Sequence, residues 1–264
     1  MSGSLKVATV WALVVALSAV LARALHPFGG AGLYAVHAAQ APLLEHSGAP
    51  PEVRALLTAK CADCHSAVSQ VPVYGRFAPV SWLVERDVVA GRKAMNLSLW
   101  DTYSADQQQT FEAKIIQKAK SHEMPLPQYR LIHWNAAITP ADLQILQRWA
   151  HEAPGSDTAA TSAEGDPAMG KQVFEKRCTG CHSLTEDREG PRLGSVYGRG
   201  SGTIHGFTYS PALANAHIVW NDATLDKWLT ETDAFIPGNN MDFRVVKPGE
   251  RKDLIAFLKQ NGGS

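Results

Sequence analysis

The sequence is short of the features that mark several common protein classes. Four cysteines among 264 residues are too few to build a disulfide scaffold. Basic and acidic side chains number 25 each, so no positive surplus is available to hold nucleic acid or another polyanion. No alternating apolar and polar run is long enough to found a sheet. Only 19% of residues are charged while 45% are hydrophobic, which excludes a disordered or collagen-like chain. The length leaves room for two small domains of ~100 residues each.

What is present gathers at the cysteines. They fall as Cys61-Ala62-Asp63-Cys64-His65 and Cys178-Thr179-Gly180-Cys181-His182. Three chemistries use this two-residue spacing: a four-thiolate zinc site, a redox dithiol, and covalent attachment of c-type haem. Zinc pairs usually stand ~15–20 residues apart, whereas these are separated by the stretch from 64 to 178. A redox dithiol has no need of the histidine. Composition alone would place a histidine after both pairs roughly once in 700 chains of this make-up. Haem attachment uses every part of the motif. The two thiols add to the vinyl groups as thioethers, and the next residue offers its imidazole to the iron as proximal ligand. The motifs therefore predict two covalently bound haems c (iron), one on Cys61, Cys64 and His65 and one on Cys178, Cys181 and His182. No cysteine is left for a structural disulfide.

Residues Val7 to Ala22 carry no charge and lie between Lys6 and Arg23. As a helix they cover ~24 Å, short of a ~30 Å hydrocarbon core unless Leu25 is included and Arg23 snorkels. Ala22-Arg23-Ala24 equally suits a signal-peptidase site. Residues 1–26 are thus a signal peptide or a membrane anchor. Both send the remainder to the bacterial periplasm, soluble after cleavage or held at the cytoplasmic membrane. From Ala153 to Gly165 the chain reads APGSDTAATSAEG, with no basic residue and no apolar period. This composition predicts a flexible linker over 154–165, reaching ~19 Å as a coil. It separates a haem-binding domain at 45–153 from a second domain at 166–264.

Regular structure reads as helix. Pro51 heads a helix into the first motif. Ser104 with Gln107 forms a capping box before Phe111, Ile115 and Ala119. Thr139, Pro140 and Asp142 start another, with Leu143, Leu146 and Ala150 on one face. Asp166-Pro167, Asn221 and Pro248 open three more, the last ended by Gly262-Gly263.

Beyond CTGCH, the second half contains Gly190-Pro191, Tyr197-Gly198-Arg199, Gly206-Phe207-Thr208-Tyr209-Ser210, Trp220, Ile236-Pro237-Gly238 before Met241, and Asp253 to Leu258. In this order the segments resemble class I cytochrome c of the mitochondrial and bacterial c2 type. The resemblance implies that His182 and Met241 bind the iron from opposite faces. It implies that the Pro191 carbonyl accepts the Nδ1 proton of His182. Tyr209 and Trp220 would bond the inner haem propionate, with Arg199 nearby, and Gly170, Phe174 and Phe257 would form the crossing of the first and last helices. The other methionine here, Met169, lies on the opening helix and reads as core or partly exposed. A Met ligand raises the potential by disfavouring Fe(III). Departures occur at Trp228, where tyrosine is usual, at Leu213, and at Asn239 in place of threonine. The family's ring of docking lysines is thin. Arg177 and Lys247 persist, but Asp233 and Asp242 stand where basic or neutral residues are usual, so lysine-steered docking to an acidic oxidase is not expected.

The first half contains CADCHS, Pro72-Val73-Tyr74, Ala78-Pro79-Val80-Ser81-Trp82, Gly91-Arg92, Asn96 to Trp100, Glu123-Met124-Pro125, Tyr129 and His133. It resembles a small bacterial haem-binding domain of exported or membrane-anchored proteins. His65 is the proximal ligand. Met124, Met95, His122, His133 and His151 compete for the sixth position. Met124 is preferred, since a Met-Pro step suits a stiff loop holding a weak ligand; His133 is the main rival, and bis-His ligation would lower the potential. Met95 reads as core, His122 and His151 as solvated surface groups, and Trp82, Trp100 and Trp149 as core aromatics.

The expected fold is mainly α: two small helical cytochrome c-like domains joined by the linker and preceded by the hydrophobic segment. The expected function is single-electron transfer between redox partner proteins, with no catalytic residue and no nucleic acid. The alternatives are a dihaem peroxidase, for which Glu123 would be the acid or base, and a cytochrome subunit of a periplasmic dehydrogenase.

Overall fold

Apolar residues recur every third or fourth position through most of the chain, and the elements they form are helices. A computed structural model describes residues 2–22, 25–29, 33, 43–45, 47–152 and 164–261. Residues 23–24 of the cleavage motif, 153–163 of the linker and the closing Gly262-Gly263 lie outside the described residues. The fold is mainly α; among the described residues the only extended pairing is an isolated bridge between Gly200 and Val219. The chain divides into two units, Met1–Thr102 and Tyr103–Ser264.

The first unit holds α1 (Ser2–Ala22), α2 (Pro51–Lys60), α3 (Ala62–His65) and α4 (Val80–Ala94). Helix α1 exposes apolar side chains such as Val7, Trp11 and Leu17. Among the described residues, no helix is long and apolar enough to cross a membrane. Pro51 sits in the first turn of α2, where its missing N–H costs nothing, and Val53, Leu56 and Leu57 form the buried face. Val88, Met95, Leu97 and Trp100 complete the core around them. Helix α4 was not anticipated. Only its ends, Val80 to Trp82 and Gly91-Arg92, entered through the resemblance; its buried face is Ser81, Glu85, Val88 and Gly91. It packs against α3 at Gly91, where an added Cβ would stand 2.7 Å from the Cys64 carbonyl oxygen.

The second unit holds α5 (Ala105–Lys120), α6 (Pro127–Ile132), α7 (Pro140–Glu152), α8 (Pro167–Arg177), α9 (Pro211–Ala214), α10 (Asp222–Thr230), α11 (Thr232–Phe235) and α12 (Pro248–Gln260). The expected starts are seen with their bonds. Ser104 Oγ accepts from the Gln107 N–H while Gln107 Oε1 accepts from the Ser104 N–H. Asn221 caps α10 in the same reciprocal way with Thr224, and the Asp166 carboxylate accepts from the Ala168 N–H at the head of α8. Helices α8 and α12 cross at Gly170, whose Cβ would meet the Asp253 carbonyl oxygen at 2.0 Å. Phe174 and Phe257 pack at this crossing, ring centroids 5.4 Å apart. Around it Val245, Leu254, Leu258 and Trp228 make the core.

Candidate functional site

Helix α8 ends at Arg177, and the backbone makes one further turn through the second motif: the Cys178 N–H donates to Phe174 O and the His182 N–H to Cys178 O at 2.8 Å. That turn brings Cys178, Cys181 and His182 to the wall of a cavity of about 200 Å³, which Met241, Trp220 and Trp228 also line. The following loop returns along the motif. Gly190 N–H donates to Cys181 O at 2.9 Å, and Leu193 N–H to Ser183 O at 2.8 Å.

His182 Nδ1 lies 2.7 Å from the Pro191 carbonyl oxygen. A carbonyl can only accept, so Nδ1 carries the proton and Nε2 keeps its lone pair for a metal. Burial holds His182 below the usual histidine range, so the ring is neutral and able to ligate. An added Cβ on Gly190 would stand 2.2 Å from His182 Cε1; the ring needs the glycine beside it. The segment around Met241, which lines the same cavity, is fixed by its own bonds. Thr232 Oγ1 donates to Met241 O at 2.9 Å, and Asn239, fully buried, donates to Ile236 O at 2.9 Å and to Asp233 Oδ1 at 3.0 Å. Asn239 Oδ1 is a buried acceptor with no donor, two residues before Met241.

Arg199, Tyr209 and Trp220 line the same cavity. Arg199 spans two carbonyls, Gly194 O at 3.1 Å and Arg192 O at 3.0 Å. The Trp220 N–H donates to Arg199 O at 2.9 Å, and the Gly198 N–H to Trp220 O at 2.7 Å. Tyr209 stands edge-on to Phe207 at 4.8 Å. The resemblance named these residues, and the fold brings them together.

In the first unit, His65 Nδ1 lies 3.1 Å from the Met95 carbonyl oxygen. The same argument puts the proton on Nδ1 and leaves Nε2 free. Burial lowers the pKa of His65 also. Arg92 holds the turn after the motif, with Nε donating to Ser66 O at 2.7 Å and Nη2 to Ser69 Oγ at 3.0 Å. Met95 is core, as the sequence suggested, but it also serves His65 through its backbone. No sequence signal finds that role, because every residue has a carbonyl.

The thiols do not resemble redox cysteines, whose pKa is drawn down. Burial pushes Cys61 and Cys178 up to about 12, and Cys64 and Cys181 up to about 11. Among the described residues, no three or more His, Cys, Asp or Glu side chains converge to hold a metal ion. A neutral imidazole tethered at Nδ1, a thioether lining the same cavity and two half-buried thiols suit covalent haem.

Met124 belongs to the second unit. It is exposed, joined to Pro125 by a cis peptide, and its N–H donates to Lys118 O at 3.1 Å. His133 stacks on Tyr129 with centroids 4.1 Å apart, and His122 is exposed. Glu123 pairs with Lys118 at 2.6 Å. His151 is not the solvated group expected. It is half-buried and bonds Asp242 Oδ1 at 2.8 Å, since it falls one turn after Gln147 on the face of α7 turned toward that carboxylate. That bond raises its pKa. Burial works to raise Asp242, but bonds from His151 and Gln147 and the nearby Lys120 ammonium outweigh it and hold the carboxyl low. Lys120 and Gln147 escaped the sequence reading, which took the acids at 233 and 242 only as evidence against lysine-steered docking.

A family model described as a haem-binding domain matches residues 32–152, and one described as cytochrome c matches residues 167–262. A cytochrome c of Chlamydomonas reinhardtii is 42% identical over 107 residues, covering 39% of this chain and 96% of the relative. A cytochrome c2 of Rhodomicrobium vannielii is 41% identical over 110 residues, covering 40% of this chain and 87% of the relative. The solved cytochrome cH from Methylobacterium extorquens is 34% identical, covering 36% of this chain and 99% of that one, with a TM-score of 0.35.

Proposed function

The chain belongs to the cytochrome c family, and on that premise we propose that it is a dihaem carrier of single electrons in the bacterial periplasm or at the outer face of the cytoplasmic membrane. One observation carries the reading: the cavity that takes the second motif's thiols presents His182 and Met241 together. An iron held by both has no position open to a substrate, so the bound group serves only to pass charge.

Haem, when bound, supplies an iron that gains and loses one electron. The chain does the rest. Pro191 and Gly190 fix the orientation of the His182 ring. Trp220, Trp228 and Leu225 make the wall apolar, which excludes water and disfavours the more highly charged ferric state. Arg199, with both terminal nitrogens already bonded to backbone, keeps a half-buried positive charge beside the cavity, suited to a propionate.

The first motif supports a second haem on the same logic, with His65 oriented by the Met95 carbonyl and Met124 as proposed sixth ligand. The sequence domains are 45–153 and 166–264, joined through 154–165, with α5 to α7 of the first falling in the second compact unit. Residues 1–26 serve export, as cleaved peptide or anchor. Donor and acceptor are redox proteins of the same compartment. Mass spectrometry and an optical redox titration of the purified protein test the proposal together. We expect the mass of two attached haems, two redox waves and low-spin ferric spectra. A single added haem removes the dihaem reading, and a high-spin resting state with peroxide turnover removes the carrier.

A further inference from the structure

Helix α5 forms part of the wall of the C-terminal cavity. Thr110, Ala113 and Gln117 from this helix line it beside Cys181 and Met241. At the motif end, Arg177 bonds Gln109 Oε1 and pairs with Asp106 at 3.4 Å. Gln117 Nε2 donates to Glu189 O at 3.1 Å, and Lys114 stands 3.7 Å from the Glu189 carboxylate. Thr110 comes so close to Gly180 that a Cβ there would be 2.5 Å from its methyl group.

At the other end, next to Met241, the contacts are ionic and largely dry. Lys120 Nζ lies 2.6 Å from Asp233 and 3.2 Å from Asp242, with the Lys120 side chain only 10% exposed and that of Asp242 1%. Gln147 Nε2 of α7 donates to both carboxylates at 2.8 Å, and His151 bonds the second oxygen of Asp242. Buried charges persist only when paired and fully bonded. Here each acid at the two unusual positions has its basic partner on α5 or α7.

We propose that the face around Met241 is a docking surface for α5 and α7 of this same chain, so that external redox proteins do not reach this haem edge directly and exchange electrons with it only across α5. The charge reversal at Asp233 and Asp242 is then the imprint of an internal partner. This inference rests on the proposed haem site for its functional meaning, but the docking itself is a statement about carboxylates.

The test uses the full-length, haem-loaded protein, labelled with a water-soluble carbodiimide and glycine ethyl ester and read by peptide mass spectrometry. Asp242 should label at least about tenfold more slowly than Glu175, whose side chain is 58% exposed. Lys120→Asp should release that protection, and adding Asp233→Lys to it should restore it. In parallel, the reduced protein is oxidised by tris(phenanthroline)cobalt(III), a cation drawn to uncovered carboxylates. Lys120→Asp should react about tenfold faster at low salt than wild type, and the swap should return the rate. Asp242 labelling in wild type at the rate of Glu175 overturns the proposal. So does protection that survives Lys120→Asp, or failure of the swap to restore it. Haem mass on the same samples separates the two ideas: fewer than two haems with Asp242 still protected counts against the dihaem reading alone.

Discussion

Gly190 and His182 are packed so tightly that even a methyl group between them is too much: an added Cβ would sit 2.2 Å from the imidazole. The proximal ring must turn or the loop must lift. Gly190→Ala should cost about 3 kcal/mol through this overpacking and lower haem retention. Thermal unfolding followed in the visible haem band measures it; an unchanged midpoint would contradict the close approach.

Among the described residues, Met241 supplies the one methionine sulfur lining the second cavity. Met241→Ala should abolish the long-wavelength Met–Fe(III) charge-transfer band of that haem. Its potential should fall by on the order of 0.1 V, within the ~0.8 V range that axial ligands span. A redox titration with the spectrum recorded at each step reads both, and an unaltered band refutes the ligand assignment.

Much of the second unit was legible because its determinants are local. A Ser104–Gln107 box, an Asp166-Pro167 start and an Asn221 cap each act within three residues, so the sequence shows them directly. The Cys-x-x-Cys-His motifs are legible for the same reason. Long-range partners are not. Lys120 meets Asp233 across 113 residues and His151 meets Asp242 across 91, and nothing in local spacing reports those encounters. Helix α4 lay between these cases, since its ends were legible through the resemblance but its place against Cys64 was not.

Arg92 tests the first site. Its two donors fasten the Ser66 carbonyl and the Ser69 hydroxyl immediately after His65. Arg92→Ala leaves the carbonyl of Ser66, a fully buried residue, with only the long 3.4 Å bond from the Ser69 hydroxyl, a loss of about 1 kcal/mol. The fraction of purified protein carrying haem at Cys61 and Cys64 should drop, while that at Cys178 and Cys181 stays level. Equal occupancy of both sites in the variant would show that the turn holds without it.

Glu112 sets a pH dependence. Burial on α5 pushes its carboxyl to about 7. Between the unfolded value of about 4.3 and about 7 the folded protein keeps a proton that the unfolded chain has released, so stability falls as pH rises through that window. Glu112→Gln stays neutral throughout. Its stability relative to wild type should be unchanged near pH 4 and higher by on the order of 1–2 kcal/mol at pH 8. Denaturant titrations at the two pH values check the sign; a larger gain in acid would reverse it.

The two proximal rings hang from tethers of very different length. His182 is steadied by a carbonyl nine residues on, inside one tight loop, whereas His65 depends on a carbonyl 30 residues away, past the whole of α4. Fraying of that one helix frees the imidazole at 65 while the imidazole at 182 stays aligned. Partial unfolding would therefore be selective: a haem at the first motif would lose the alignment of its proximal ring before one at the second.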